Sequence, residues 1–360
     1  MKRYQDTMDS LHFTPEQKAR MVDQLMEASA SPVRRPHTFR RVAVAGVAAA
    51  LALSVGVAGA TGVLSDVGES FSALFGVSAA QTEIIDQIGY PVGASATADG
   101  ITITADAIVG DTYSYAIVYS IAREDGQPLV SGQVLSGSEE YEGRLPLSFE
   151  DYDLRPSGPL ASLSAGSGGG GFSHFYDADP TDNTIQFVTF WTSDTPIRSG
   201  KVTATFRGLY NTTDGYENKT LLTEGPWTLE FTMAFEDASL SLPSGQALRV
   251  GGMDATLDSV TLSPLSIMVE YTVHQEVPET ERETGRADKA TDPYAPFRDL
   301  PVVISYTDGS TLEIKSANSS IHSGSGRTEC TKGVIFDTIR PLEEVASVTV
   351  GDVVIPVPHQ

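Results

Sequence analysis

The chain has 360 residues, with 24 Lys+Arg against 47 Asp+Glu and a formal net charge of −23. That balance argues against direct nucleic-acid binding, which needs a basic face for phosphate. Its 40% hydrophobic and 20% charged residues exclude a wholly disordered chain, and a lone cysteine, Cys330, excludes an intramolecular disulfide framework or a multi-cysteine metal site. The length suggests about two domains.

Residues 1–41 carry eight basic and five acidic side chains, a net of +3, and the remaining 319 residues carry −26. Within this cytoplasmic-type stub, residues 3–12 and 14–29 are predicted as short helices. Thr14-Pro15-Glu16-Gln17 supplies an N-cap, a proline at the first helical position and a capping-box glutamine. Met21, Val22, Leu25 and Met26 fall on one face, with Met8, Leu11 and Phe13 upstream. Forty residues do not bury such a face fully. Leu11, Phe13, Met21, Val22, Leu25 and Met26 are therefore candidate contacts to a cytosolic partner, a small αα-hairpin or a lipid-lying stub being the alternatives.

Val42 to Leu64 is a run of 23 residues without a charge. As a helix it spans about 34 Å, enough for a bilayer core. Arg34, Arg35, Arg40 and Arg41 precede it and Asp66 follows, so the positive-inside rule expects an anchor with the N-terminus cytoplasmic and the acidic part outside. Ala58-Gly59-Ala60 leaves a cleaved signal peptide as the rival reading. Ser54, Ala58 and Gly62 form a small-residue row that would allow two such helices to approach.

Residues 65–91 are predicted as a membrane-proximal helical stalk, with Phe71, Leu74, Phe75, Ile84, Ile85 and Ile88 at helical spacing. Period-two alternation then takes over. GITITADAIVGDTYSYAIVYSI at 100–121 lies without a gap over GMDATLDSVTLSPLSIMVEYTV at 252–273. Gly100/Gly252, Thr104/Thr256, Asp106/Asp258, Ser114/Ser266 and Tyr119/Tyr271 are identical, and the apolar positions keep their parity. The expected fold is mostly β: two immunoglobulin-like β-sandwich modules outside the membrane, at 92–236 and 238–358. Residues 156–184 are expected as a long flexible connection and 276–299 as a charged loop, the two places where binding would sit.

Sequence signals for chemistry are weak. Gly166-x-Gly168-x-x-Gly171 lacks the strand and helix of a dinucleotide fingerprint and reads as linker. Asp177, Asp179, Asp182 and Asn183 fail the EF-hand pattern and read as an acidic turn. His174 reads as part of a loop aromatic cluster with Phe175 and Tyr176, and Cys330 has no orienting base motif. No catalytic, cofactor or metal residues are assigned, and a non-enzyme is expected.

YQDTMDSLHFTPEQKARMVDQLM, the arginine-flanked apolar run, AAQTEIIDQIGYPVGASATADGITITADAIVGD and YSYAIVYSI together resemble the domain of unknown function 4179 family of Firmicutes. Several of these membrane proteins are anti-sigma-factor-like, and the second module resembles the C-terminal immunoglobulin-like domain found with them. The resemblance implies a single-pass regulator whose stub holds an extracytoplasmic-function sigma factor while the outer modules sense an envelope ligand or protein. The stub has His12 and His37 but no cysteine, which removes the zinc-binding version of such a domain. An exported or anchored surface scaffold with no cytosolic partner is the alternative.

Overall fold

The computed structural model describes residues 67–76, 78–129, 143–157, 168–213, 216–277, 294–315 and 317–358. The stub, the Val42–Leu64 run and Asp66 lie outside them. No helix among the described residues is long and apolar enough to cross a membrane.

The described residues open with helices α1 (Val67–Phe75) and α2 (Ala79–Ile88). Gly76, with φ +108°, ends α1, and Ser78 caps α2 in a reciprocal capping box with Gln81. The Gln81 amide also donates to Phe75 O at 3.1 Å, which ties the two helices at their junction. At the other end Asp86 accepts from Gly68 N at 2.7 Å, filling one of the bare donors of the first turn of α1.

The first β module contains β1 (Gly89–Ala98), β2 (Ile101–Gly110), β3 (Ser114–Arg123), β4 (Arg144–Leu145), β5 (Leu147–Pro156), β6 (Gly169–Tyr176), β7 (Thr184–Ser193), β8 (Gly200–Asn211), β9 (Thr220–Thr223) and β10 (Trp227–Met233). One antiparallel sheet runs β1-β2-β3-β7-β6-β4, and a second runs β10-β8-β5 with β9 also on β8. Their facing sides share one apolar core, in which Tyr119, Phe206 and Trp227 are fully buried. The Trp227 indole N–H finds its partner in Ile101 O at 2.9 Å.

The second module contains β11 (Leu240–Leu242), β12 (Ala247–Val250), β13 (Met253–Leu262), β14 (Ser266–Val273), the short helix α3 (Ala295–Arg298), β15 (Val302–Tyr306), β16 (Thr311–Glu313), β17 (Asn318–Gly324), β18 (Arg327–Ile335), β19 (Val345–Val350) and β20 (Val353–Pro356). Its sheets run β11-β13-β14-β18-β17, with β12 also on β13, and β16-β15-β19-β20. They enclose a separate core.

The two strand orders superimpose in chain order. β1 corresponds to β11 plus β12, then β2 to β13, β3 to β14, β5 to β15, β6 to β17, β7 to β18, β8 to β19 and β10 to β20. The 152-residue offset holds at the level of register. Ala105↔Tyr119 matches Leu257↔Tyr271, and in both hairpins the ladder slips at the next residue, Asp106 or Asp258. Each of these bulge carboxylates accepts from a hydroxyl across the strand, Ser120 at 2.5 Å and Thr272 at 2.7 Å.

The stretch expected as a stalk is instead part of the β body. β1 starts at Gly89, and Phe71, Phe75, Ile85 and Ile88 pack on the outer face of the first sheet with Val109, Ala116, Val118 and Phe190. That face is apolar at positions where a solvent-facing strand would alternate to polar, so it requires a cover. Burying Phe71 alone is worth about 2–3 kcal/mol relative to exposure.

Leu265 and Ile339 of the second module complete the cover and join the same cluster. Beside them the two hairpin turns meet. Asp111 accepts from Tyr113 N at 2.9 Å and Ser114 N at 2.7 Å, and its counterpart Ser263 accepts from Leu265 N at 3.0 Å and Ser266 N at 2.9 Å. The Asp111 carboxylate then accepts from the Ser263 hydroxyl at 2.5 Å and the Ser266 hydroxyl at 2.6 Å. Thr112 donates to Asp237 in the connecting segment at 2.6 Å, so one turn holds both the second module and the linker to it.

Candidate ligand cleft

An open cleft of about 830 Å³ lies in the first module, between β5 of one sheet and β6 and β7 of the other. That size suits a small-molecule or short-peptide ligand. Trp191, Thr189 and Tyr115 line it from the first sheet, Tyr152 and Leu154 from β5, and Ile197, Val202 and Met233 from the remaining wall. Apart from phenols, the ionisable side chains lining it are Asp153, Arg198 and Lys201. Its walls are aromatic and aliphatic, with hydroxyls, one carboxylate and two cations.

The Tyr152 and Tyr119 hydroxyls lie 3.0 Å apart, and their rings meet edge to face. Burial pushes Tyr115 and Tyr152 above the ordinary phenol range, with smaller contributions from neighbouring groups, so both present neutral hydroxyls at physiological pH. Asp153 pairs with Arg155 along β5. A smaller cavity, about 160 Å³, lies where β6 and β7 approach β14, β17 and β18.

Part of the 156–184 stretch expected as a flexible connection is strand β6, and the Gly168–Gly171 run has a packing role there. A Cβ on Gly169 would lie 2.9 Å from the Trp191 ring, and one on Gly171 would lie 2.1 Å from Phe190 O and 2.9 Å from the same ring. A Cβ on Gly170 would meet the side chain of Asn318, whose amide donates to Gly170 O at 2.9 Å. The run thus lets the indole lie flat on one face of β6 and the second module approach the other. Trp191 is 37% exposed, whereas the other tryptophan, Trp227, is fully buried.

His174 sits on β6 rather than in a loop, and its ring stacks with those of Phe172 and Phe190. Burial, reinforced by the charge of Arg144, pushes it down to about 4, so it is neutral at physiological pH. Among the described residues, His174 Nδ1 and the Tyr176 hydroxyl are buried without a hydrogen-bond partner. In the acidic turn the carboxylates serve the backbone: Asp179 accepts from Thr181 N at 2.9 Å and Asp182 from Thr184 N at 2.8 Å. Cys330 is buried in the second core, and burial raises its thiol to about 11. His322 pairs across from Glu329 and bonds Ser320 at 2.9 Å, on the strand face away from that thiol. Of the 276–299 loop, the described end folds into α3, with Phe297 buried in the core.

The partner-contact candidates Leu11, Phe13, Met21, Val22, Leu25 and Met26 and the flanking residues Arg34, Arg35, Arg40, Arg41 and Asp66 lie outside the described residues. The residues that build the cleft, Tyr115, Tyr152, Trp191, Arg198 and Lys201, carry no motif. Their one sequence trace is an aromatic at alternating parity opposite a glycine run.

No protein-family model matches the sequence, and no curated protein matches it. A solved structure described as the conserved domain protein from Bacillus anthracis is similar at 13% identity, with a TM-score of 0.41, over 72% of this chain and 75% of that one.

Proposed function

We propose that the chain is a single-pass, anti-sigma-factor-like regulator of the cell membrane, of the domain of unknown function 4179 type, whose outer β modules bind an envelope ligand. The observation that carries the binding part is the open 830 Å³ cleft with its aromatic floor and cationic rim. The basic stub, the arginine-flanked Val42–Leu64 run and the −26 carried by the rest support a cytoplasmic N-terminus and an extracellular body. An immunoglobulin-like assignment of both modules is supported by strand order: β2, β3, β7 and β6 against β10, β8 and β5 follow the ABED and GFC sheets of that fold, with β1 added before strand A.

The test is affinity purification of the full-length protein from native membranes, with intact and stub-deleted forms compared. A sigma factor recovered only with the intact stub supports the regulator, and Leu25→Asp with Met26→Asp should abolish its recovery. If the double variant recovers it as well as wild type at equal abundance, the sigma-binding reading fails. Ala58-Gly59-Ala60 favours a second reading: a mature form beginning near Thr61, with no cytosolic partner, would mark an exported surface-binding protein.

A further inference from the structure

One face of the Trp191 ring lies on the glycines of β6, where a Cβ on Gly169 or Gly171 would come within 2.9 Å of it, yet the residue stays 37% exposed. The opposite face of the indole is therefore the open one, and Trp191 lines the 830 Å³ cleft. A flat ring held on a strand in this way is a stacking platform, because its electron-rich face attracts polarised C–H groups. Around it stand hydroxyl-bearing residues: Tyr115, Tyr152, Ser157, Ser173, Thr189 and Ser199.

The charge of the cleft runs against that of the chain. Its lining carboxylate, Asp153, is paired with Arg155, and Asp151 stands directly opposite Arg207 in the ladder. Asp194 lies against Gly168 and lines the smaller cavity. Arg198 and Lys201 line the cleft itself, Arg198 from the β7–β8 connection, which Ile197 N ties to Thr112 O at 2.7 Å, and Lys201 from the start of β8. The 158–167 stretch that follows β5 contains no ionisable side chain and leaves this balance as it is. The cleft thus sets two cations against one paired carboxylate, in a sequence whose residues 42–360 carry −26.

We propose that the cleft binds an acidic glycan: a sugar ring stacks on the open face of Trp191, and its acidic substituent is held by Arg198 and Lys201. The proposal rests on the reading of this cleft as a binding site and names its ligand class. A sugar ring has an apolar C–H face and a rim of hydroxyls, which matches an aromatic platform ringed by groups that both donate and accept. An acidic peptide would answer the cations but leave the stacking face unused. A neutral sugar would use the platform but leave the two cations without a counter-charge.

The experiment titrates the full chain in mild detergent, by calorimetry, with tetragalacturonate and a hyaluronan tetrasaccharide. The comparison probes are the methyl esters of both sugars, tetraglutamate and adenosine monophosphate. At least one acidic sugar should bind saturably and shift tryptophan emission. Trp191→Ala should weaken that binding at least tenfold, with circular dichroism and the emission of Trp227 unchanged. Esterification should weaken binding several-fold in wild type. In the double variant Arg198→Gln with Lys201→Gln, acid and ester should bind alike. Equal affinity of wild type for acid and ester, or full affinity in Trp191→Ala, overturns the proposal. Tetraglutamate or adenosine monophosphate binding in a Trp191-dependent way while both acidic sugars fail overturns the glycan and leaves the cleft a ligand site. Silence from every probe overturns both.

Discussion

Replacing Asp111 with alanine tests the joint between the modules. The carboxylate is 2% exposed and accepts two backbone N–H groups of its own turn and two hydroxyls from the other module. Burial raises its carboxyl above the ordinary range and the four hydrogen bonds pull it part of the way back, so the donors offset part of the cost of burying the group. A hydrogen bond contributes roughly 0.5–1.5 kcal/mol net, and an unsatisfied buried donor costs about 1–3 kcal/mol. Alanine leaves four donors without an acceptor, at about 1 kcal/mol each before water enters, so the expected loss is about 3 kcal/mol. Asparagine keeps the shape and both backbone bonds and should cost about 1–2 kcal/mol. The assay is urea denaturation, followed by tryptophan fluorescence for the first module and far-ultraviolet circular dichroism for the whole chain. Wild type should give coincident transitions, whereas Asp111→Ala should separate them. A double-mutant cycle of Asp111→Asn with Ser263→Ala should show coupling of about 1 kcal/mol across 152 residues. Additivity within about 0.3 kcal/mol, with an alanine loss below about 0.5 kcal/mol, would refute the joint.

Asp106 supplies a pH signature. Burial raises its carboxyl from 3.8 to about 6, against the opposing Ser120 hydrogen bonds. The native state therefore holds this proton more tightly than the unfolded chain. The group's contribution is complete below about pH 3.8 and lost as pH rises through about 6, a span worth at most about 3 kcal/mol. Asp106→Asn should flatten the stability profile in that window, and an unchanged slope in chemical denaturation from pH 4 to 7 would contradict it. Gly171→Ala should cost about 1–3 kcal/mol by forcing a Cβ against Phe190 O and the Trp191 ring, with a blue or red shift of Trp191 emission. Phe71→Ala should cost about 3–5 kcal/mol and uncover the outer face of the first sheet, measurable as dye binding and faster exchange in β3. Ser78→Ala should cost about 1 kcal/mol and raise exchange confined to α2.

The β architecture and the duplication were legible because both rest on periodicity. Alternation in 100–121 and 252–273 fixes which side chains face inward, and a gapless match preserves bulge and turn together. The helices at 67–88 were legible as helices but not as a cover. Phe71 and Ile85 look the same in sequence whether they face a neighbouring strand or a free stalk, and only the apolar outer positions Val109, Ala116 and Val118 decide it. β6 was hidden because glycine has poor strand propensity, and its three glycines are explained by Trp191 and Asn318, which lie distant in sequence. The cleft escaped for a related reason. Its walls, Tyr115, Tyr152, Trp191 and Ile197, come from separate strands and a loop, and no spacing in the sequence marks residues that meet only in space.

The meeting of Asp111 with Ser263 has a consequence for assembly. These positions are equivalent in the two copies, so two identical modules docked in this way would set like against like. Two first modules would press carboxylate on carboxylate in a dry joint, and two second modules would bring hydroxyls together with no strong acceptor between them. Only the mixed pair supplies both acceptor and donors. The divergence of one residue thus makes the contact heterotypic: each module is matched to the other and not to a copy of itself.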